Sequence, residues 1–346
     1  MIKSIILCFL LFSLALPASA MEIEAPSIPE YAQEQMPDET ESFSQGFREL
    51  LQKALMTLRP DLKEACSVSL SIIAAVMLVS FLKSFSDNVK TTLVLAGTTV
   101  IAAALLLNTN AMIRLGADTV QQLSDYGKMF YPVMATALAA QGGVTSSAAL
   151  YTGTAVFDTI LSSVISRILM PMVYVFLALS TAHNALGEDT LKKMRDLAKN
   201  TVSWCLKTLL TVFTTYMSIT GVVSGTTDAA ALKATRVTIS SVVPVVGGIL
   251  SDASEAVLVS AGVMKNAAGV YGILAILALF VEPFLRIGIH YLILKATAAV
   301  CSVLGTSETT GIIEDFSSAM GMLLGMTGSV CLMLLISTVC FMKGAT

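Results

Sequence analysis

Charged side chains are scarce in this chain of 346 residues. Asp, Glu, Lys and Arg make up 13% of it, whereas soluble globular domains carry about 25%. Apolar residues make up 55% but aromatic residues only 7%, so the apolar excess is aliphatic. This composition excludes a disordered chain, a nucleic-acid-binding protein and an ordinary soluble enzyme. It predicts an all-α fold, a polytopic helical membrane protein with about six to eight transmembrane helices after a cleaved signal peptide.

Motifs for catalysis are also missing. The chain has only two histidines, His183 and His290, and neither has Cys, Asp or Glu at metal-ligand spacing. It contains no H-E-x-x-H, no G-x-x-x-x-G-K-[ST] phosphate loop and no G-x-G-x-x-G fingerprint. The cysteines beyond the first 20 residues lie in apolar stretches without ligand spacing, as packing residues do. We therefore predict no enzyme activity, no catalytic residue, no cofactor and no metal site.

Residues 1–20 have the three parts of a signal peptide. Lys3 precedes an apolar run at residues 5–16, Pro17 ends the run, and residues 18–20 read Ala-Ser-Ala, which is typical of a cleavage site. The run is too short to span a bilayer, which takes about 20 residues. A first transmembrane helix is the alternative. Cleavage after residue 20 predicts an extracytoplasmic N-terminus.

Residues 21–64 form an acidic leader outside the cytoplasm. The prolines of its first part predict extended, flexible chain. From Ser42 onward, apolar residues recur at three- and four-residue steps, which predicts an amphipathic helix near the membrane surface. Its acidic character does not suit anionic lipid. A protein partner and a merely solvated face are the two interpretations of this segment.

Residues 65–346 are predicted to form the helical transmembrane domain. Two regions, 131–166 and 224–266, are rich in small residues and suit interfacial, re-entrant or tightly packed interior helices. In a third region, 267–304, Glu282 and Pro283 interrupt the pattern, so one tilted helix or two short ones would fit. Clear apolar spans lie at residues 65–82, 91–107, 168–185, 202–223 and 320–342.

Basic residues predict part of the orientation. The stretch 191–200 carries Lys192, Lys193, Arg195 and Lys199, and the positive-inside rule makes it cytoplasmic. The side on which the C-terminus lies depends on whether 267–304 crosses once or twice. The charges favour two crossings, with the C-terminus inside, whereas one crossing would leave it outside.

Charged residues within apolar segments are candidates for function. Each costs about 2.5–3.5 kcal/mol at a helix centre. Asp158 is one such residue, and Glu282, Arg286 and His290 are spaced i, i+4 and i+8, which places them on one helix face. An ion or solute pathway and a structural polar contact between helices are both compatible with this pattern.

Proline and glycine mark a second kind of candidate. Pro244 cannot occupy a helix interior without loss of a hydrogen bond, and Gly247 and Gly248 follow it. These residues predict a bend in the chain, which would either line a pore or allow two segments to pack closely against each other. Gly321 and Gly325 form a G-x-x-x-G pattern, which permits close helix packing within the chain or between copies.

Three segments carry a resemblance to a known family: SGTTDAAALK at 224–233, SSVVPVVGGILSDA at 240–253 and VMKNAAGVYGI at 263–273. They resemble the stage III sporulation protein AE family of endospore-forming Firmicutes. The resemblance covers roughly residues 65–342 and is densest at 217–283. The matching residues are Gly221, Asp228, Lys233, Pro244, Gly247, Gly248, Asp252, Lys265, Asn266, Gly269 and Gly272.

The resemblance implies a role in sporulation. Members of that family are made in the mother cell and lie in the outer forespore membrane with the other stage III A proteins, one of which is a separate ATPase. The assembly meets the forespore protein stage II Q and resembles a secretion-type channel or feeding tube. It is required for forespore development and late forespore gene expression.

A stand-alone secondary transporter of a small solute or ion is the alternative function. The face that carries Glu282 would suit it, and so would a faint internal repeat of prolines, Pro132 with Pro171 and Pro244 with Pro283.

Overall fold

A computed structural model describes residues 28–37, 43–85, 90–242, 247–304 and 306–344, and within these ranges the chain is helical, without strands. The side chains of residues 221–262 lie outside this description. The helices are α1 Glu30–Gln35, α2 Phe43–Thr57, α3 Arg59–Phe85, α4 Lys90–Ala140, α5 Val144–Val164, α6 Met170–Leu186, α7 Asp189–Val242, α8 Gly247–Leu304 and α9 Ser307–Lys343, with a π-helical turn, Ile165–Leu169, between α5 and α6.

Length and hydropathy confirm the predicted membrane class. Among the described residues, five helical stretches are long and apolar enough to cross a bilayer. The predicted span 202–223 lies on α7, whose side chains are described only as far as residue 220. The five stretches are Arg59–Lys83, Leu95–Ala140, Val144–Leu186, Lys265–Val303 and Ser307–Lys343.

The core lies around α9. Its most apolar window is 61% buried, against 22% for α3, so α9 is central and α3 peripheral. α9 packs most extensively on α8 and α4, and also contacts α6 and α7. Leu70 and Phe81 of α3 are exposed, as expected for side chains that face lipid.

Two left-handed glycines reverse the chain. Gly142 (φ 96°) lies in the turn between α4 and α5, and Gly187 (φ 73°) ends α6. Both conformations favour glycine because a Cβ would clash with the backbone. The helices on either side of each turn therefore run back along one another as hairpins.

α8 is one continuous helix, which decides between the two interpretations of 267–304. At one end Thr310 Oγ1 donates to the Cys301 carbonyl (3.1 Å), and at the other Lys265 Nζ donates to the Gly344 carbonyl (2.9 Å). α8 and α9 are therefore antiparallel over their shared length, and 267–304 passes along the bundle once. The C-terminus consequently lies at the opposite end of the bundle from the junction of α8 and α9.

Pro283 does not interrupt α8, contrary to the expectation from sequence. It lies inside the helix, as Pro132 does in α4. Proline removes a backbone donor and crowds the carbonyl four residues earlier. A helix packed among others tolerates this because neighbouring groups and small backbone adjustments compensate.

The first part of the acidic leader is also more ordered than its prolines predict. Residues 30–35 form α1, and Ile28 and Ala32 are buried in the main core. These apolar side chains anchor the segment because their burial offsets the entropy of ordering it. The amphipathic helix is α2, which packs on α8 and buries Gly46, Leu50 and Ala54.

Candidate functional site

A polar cleft of about 220 Å³ opens between α4 and α8. We call it the Arg286 cleft. α8 supplies Glu282, Pro283 and Arg286. Arg286 lies about one turn after Glu282 and Pro283, so the three residues are on the same side of the helix. The middle of α4 forms the opposite wall with Leu115 and three polar residues, Asp118, Thr119 and Gln122.

Arg286 is the centre of an ion-pair network. Its Nε donates to Asp61 Oδ2 of α3 at 2.8 Å, and its Nη2 lies 3.6 Å from Glu282 Oε1. Gln35 of α1 donates from Nε2 to Glu282 Oε2 at 3.2 Å. The network therefore joins α1 of the leader to α3 and α8.

Among the described residues that line the cleft or pair with Arg286, carboxylates outnumber cations. Glu282 and Asp118 line the cleft and Asp61 pairs with Arg286, which supplies one guanidinium. The carboxylates of the ion pairs are mostly buried, at 20% exposure for Asp61 and 17% for Glu282. Such a cleft can hold water and favours small cations over anions.

His290 lies one turn beyond Arg286 and faces a second, much smaller cavity. Its Nδ1 is 3.0 Å from the Arg286 carbonyl oxygen. The cavity measures about 20 Å³, and its polar lining comes from Ser69, Asn108, Thr109 and His290. The hydroxyl groups of Ser69 and Thr297 hydrogen-bond nearby. Glu282, Arg286 and His290 thus lie along one polar face of α8, between α3 and α4.

Asp158 belongs to a different part of the bundle. It is fully buried on α5, and its Oδ2 accepts from Ser124 Oγ of α4 at 2.8 Å. Its Oδ1 has no hydrogen-bond partner among the described residues. Asp158 therefore does not contribute to the Arg286 cleft.

The family-matching residues at the start of the apolar part of α8 are packing residues. Lys265 is 1% exposed and bonds to the Gly344 carbonyl at the end of α9. A Cβ added at Gly272 would lie 2.0 Å from Phe130 Cζ, so only glycine fits there. A Cβ added at Gly269 would lie 2.5 Å from Cγ of the flexible Met342 side chain.

The other matching residues are described only in part. Asn266 is exposed. Pro244 lies outside the described residues, and Gly247 and Gly248 are the first residues of α8. Four matching residues remain. Gly221 lies on α7, and the side chains of Asp228, Lys233 and Asp252 lie outside the described part of the chain.

The G-x-x-x-G pair of α9 makes contacts within the chain. A Cβ at Gly321 would meet Tyr291 of α8 at 3.5 Å, and one at Gly325 would meet Leu206 of α7 at 3.6 Å. Both are ordinary van der Waals distances, so neither position enforces a close backbone approach. Of the two interpretations of this motif, the geometry fits the intramolecular one.

A second charged hub, centred on Asp315, was not predicted from sequence. Asp315 Oδ2 accepts hydrogen bonds from Ser180 Oγ (2.6 Å), Asn184 Nδ2 (3.0 Å) and Arg195 Nη1 (2.8 Å). It therefore links α6, α7 and α9. The i, i+4 spacing of Ser180 and Asn184 is a local sign of this site, but all three contacts with Asp315 cross more than one hundred residues, so the sequence does not reveal them.

Arg195 of this hub also binds Asp196, from Nη2 to Oδ1 at 2.8 Å. Burial lowers the pKa of the Arg195 guanidinium, but the negative charges of Asp315 and Asp196 outweigh it. The pKa of Arg195 is consequently raised above its ordinary value. This side chain is a fixed cation that holds the predicted cytoplasmic stretch against the core.

No group of three His, Cys, Asp or Glu side chains could hold a metal ion in the part of the chain that the structure describes. The polar groups are arranged as ion pairs between helices, and the network at Arg286 lies beside a cleft of about 220 Å³. Such an arrangement can brace helices and hydrate an interior surface.

Comparison with known proteins gives one family. The sequence model of the family described as stage III sporulation protein AE matches residues 27–345. Stage III sporulation protein AE of Bacillus subtilis (strain 168) is 22% identical over 234 residues, which cover 67% of this chain and 59% of that protein. The match thus spans less than two thirds of the relative's length. No solved structure matches the chain.

Proposed function

The chain belongs to the stage III sporulation protein AE family, and from this premise we propose that it is a multi-pass membrane subunit of a channel between mother cell and forespore. The observation that carries the proposal is the family match from residue 27 to residue 345. In this proposal the chain performs no catalysis. It helps to form or brace the membrane part of a secretion-like conduit that sustains forespore development and late forespore gene expression.

The proposed partners are the other stage III A proteins, their separate ATPase and the forespore protein stage II Q. The proposed location is the outer forespore membrane, with the N-terminus extracytoplasmic. α1 and α2 both pack on α8, and α2 also contacts α3, so a partner that contacts the leader would be coupled directly to the bundle. The Asp61–Arg286 ion pair is one such link, since it joins α3 to α8.

Deletion of the gene in its endospore-forming host tests the sporulation role. We expect engulfment to finish, the forespore to collapse and a late forespore-specific promoter reporter to stay dark under fluorescence microscopy. Restoration by the wild-type gene excludes an effect on neighbouring genes. Normal spore formation without the gene would contradict the proposal.

Complementation with Arg286→Gln tests whether the cleft matters to that role. The change leaves the carboxylates of Asp61 and Glu282 without their cation, and removal of one partner of a buried pair costs about 3–5 kcal/mol. Because the Arg286 side chain is 32% exposed, we expect roughly half of that loss and at least a tenfold fall in spore yield.

Lys128→Gln is the matched control for Arg286→Gln. Lys128 pairs with Asp125 at 2.9 Å, but both side chains are about half exposed, so this pair contributes at most about 1 kcal/mol. We expect near-normal spore yield from this variant. Equal yields from the two variants at equal protein levels would show that the ion-pair network of the cleft is not needed.

A secondary transporter is the second candidate function, and the Arg286 cleft is the observation that favours it. With a volume of about 220 Å³, the cleft could admit a small solute. Purified protein in liposomes should then move a labelled solute without any partner. Absence of flux across a panel of small cations and amino acids would remove this candidate.

A further inference from the structure

We propose that the outer face of α7 between Lys199 and Lys207 binds the headgroups of anionic phospholipids. We call it the Trp204 face, which consists of Lys199, Ser203, Trp204 and Lys207. All four residues are exposed, Trp204 at 66%. The two lysines and Ser203 are spaced i, i+4 and i+8, and Trp204 follows Ser203, so helix geometry places the four side by side. This inference does not depend on the sporulation role, because it concerns the contact of this one chain with lipid.

The opposite side of α7 is packed against the bundle. α7 contacts α5, α6 and α9, and its Val202, Leu206 and Phe213 are at most 6% exposed. Further along the outer side, Val212 and Ile219 are more than half exposed. The Trp204 face therefore lies on the outside of the described bundle, and apolar surface continues from it along the predicted span 202–223.

Exposed hydroxyl groups on this part of α7 do not require water. Thr211 Oγ1 donates to the Lys207 carbonyl at 2.8 Å, and Thr215 Oγ1 donates to the Thr211 carbonyl at the same distance. Ser218 Oγ likewise bonds to the carbonyl four residues earlier. In hydrocarbon a polar group must be satisfied within the protein, since no water reaches it. The outer side of α7 below the Trp204 face therefore suits contact with acyl chains.

Positive charge dominates the part of α7 that carries this face. Residues 188–207 include five basic and three acidic residues. One of the acids, Asp196, is already paired with Arg195 at 2.8 Å, and the other two precede residue 190, at the end remote from the predicted span. On α9, Glu314 makes no ion pair among the described residues. The surface charge next to the face therefore favours an anion.

The two lysines of the face keep their charge available. Lys199 Nζ donates to Ser318 Oγ of α9 at 3.1 Å, and this partner is neutral. The ammonium group of Lys207 has no hydrogen bond or ion pair within the part of the chain that the structure describes. Helical side chains lean toward the N-terminus, so Lys207 extends toward Trp204 and Lys199, and its long stem can follow apolar surface to reach a headgroup.

Tryptophan beside lysine at one end of an apolar span is the combination that the headgroup region of a bilayer favours. Trp is enriched at that level, and basic residues next to a transmembrane segment attract anionic lipid. A zwitterionic lipid offers a phosphate but no net charge, so the lysines select phosphatidylglycerol or cardiolipin over phosphatidylcholine. An acidic protein is the competing occupant, but it would not account for the exposed apolar surface that continues along the helix.

Fluorescence of Trp204 tests the proposal, because it is the single tryptophan of the chain. The full chain is reconstituted in phosphatidylcholine liposomes with equal fractions of either brominated phosphatidylglycerol or brominated phosphatidylcholine, the bromine lying near the ester end of an acyl chain. We expect both lipids to quench, and phosphatidylglycerol to occupy the face at least about threefold more strongly. Equal quenching by the two lipids would overturn the proposal. Absence of quenching by either would overturn it too, since water or protein would then cover the face.

Removal of the two cations tests their role. Lys199→Gln with Lys207→Gln should leave quenching by phosphatidylcholine unchanged and abolish the preference for phosphatidylglycerol. Lys207→Gln alone keeps the bond from Lys199 to Ser318, so it tests the charge without any change in packing, and we expect it to lower the preference by about half. A preference that survives in the double variant would overturn the proposal.

Lys53→Gln with Lys128→Gln is the matched control, because it removes the same charge from α2 and α4. These lysines pair with Glu49 at 3.4 Å and with Asp125 at 2.9 Å. We expect the lipid preference of this variant to equal that of the wild type. If the control lost the preference as fully as the double variant of α7, the net charge of the chain rather than the Trp204 face would attract the lipid, and the proposal would be wrong.

Discussion

Replacement of Asp315 by Asn is expected to loosen the contact of α9 with α6 and α7. Asp315 Oδ2 accepts hydrogen bonds from three side chains on those two helices. Asn keeps the shape and one acceptor oxygen, but it has no charge and carries an NH2 group in place of the second oxygen. The main loss is therefore the ion pair with Arg195, and the bonds from Ser180 and Asn184 lose their charged acceptor.

The size of the effect follows from burial. The side chains of Arg195 and Asp315 are 14% and 12% exposed, and loss of one partner from a buried pair costs about 3–5 kcal/mol. Arg195 retains Asp196 at 2.8 Å, so we expect the lower end of that range, about 3 kcal/mol. Asp196 is 48% exposed, and Asp196→Asn should cost at most about 1 kcal/mol.

Equilibrium unfolding in mixed detergent micelles, followed by circular dichroism, measures the difference. The comparison is sharp because both carboxylates lie 2.8 Å from the same guanidinium. The double variant Arg195→Gln with Asp315→Asn should be more stable than Asp315→Asn alone, since it leaves no buried guanidinium that has lost its buried carboxylate and keeps only the half-exposed Asp196. Equal losses from Asp315→Asn and Asp196→Asn would refute the argument that burial sets the value of the pair.

Two further predictions concern Gly272 and Lys265, which pack α8 against its neighbouring helices. Gly272→Ala should lower the yield of folded protein in detergent by severalfold, because its Cβ would lie 2.0 Å from the buried Phe130 ring. Gly321→Ala should be tolerated, because its Cβ would lie 3.5 Å from its nearest neighbour. Similar yields of the two variants on size-exclusion chromatography would contradict this prediction. Lys265→Met should destabilise the end of α9 by about 1–3 kcal/mol, since it leaves the Gly344 carbonyl without its side-chain donor. Carboxypeptidase should therefore trim the C-terminus of this variant faster than that of the wild type, and an unchanged trimming rate would count against the prediction.

Local periodicity was sufficient to predict which residues of α8 share a face. Glu282, Arg286 and His290 are spaced i, i+4 and i+8, and helix geometry alone aligns them. It could not predict Asp61 as a partner, because that residue lies 225 positions away in the chain. The Arg286 cleft and the adjacent cavity likewise depend on how α4 packs against α8.

Proline gave the least reliable predictions. Pro283 suggested a break, yet α8 continues through it. The prolines of the leader suggested extended chain, yet α1 is helical and anchored by Ile28 and Ala32. In both places burial against other helices outweighs a local backbone preference, which is a matter of a few kcal/mol.

Hydropathy and short motifs are local properties of the chain, and they were enough to predict the membrane class, most of the spans and the family. The single passage of α8 along the bundle, the packing of Gly321 and Gly325 within the chain and the polar contacts of Asp315 depend on how the helices pack, so they could be read only from the fold. The physical reason is that a buried charge must find its partner wherever the packing brings one, and the partners here lie on helices far apart in sequence.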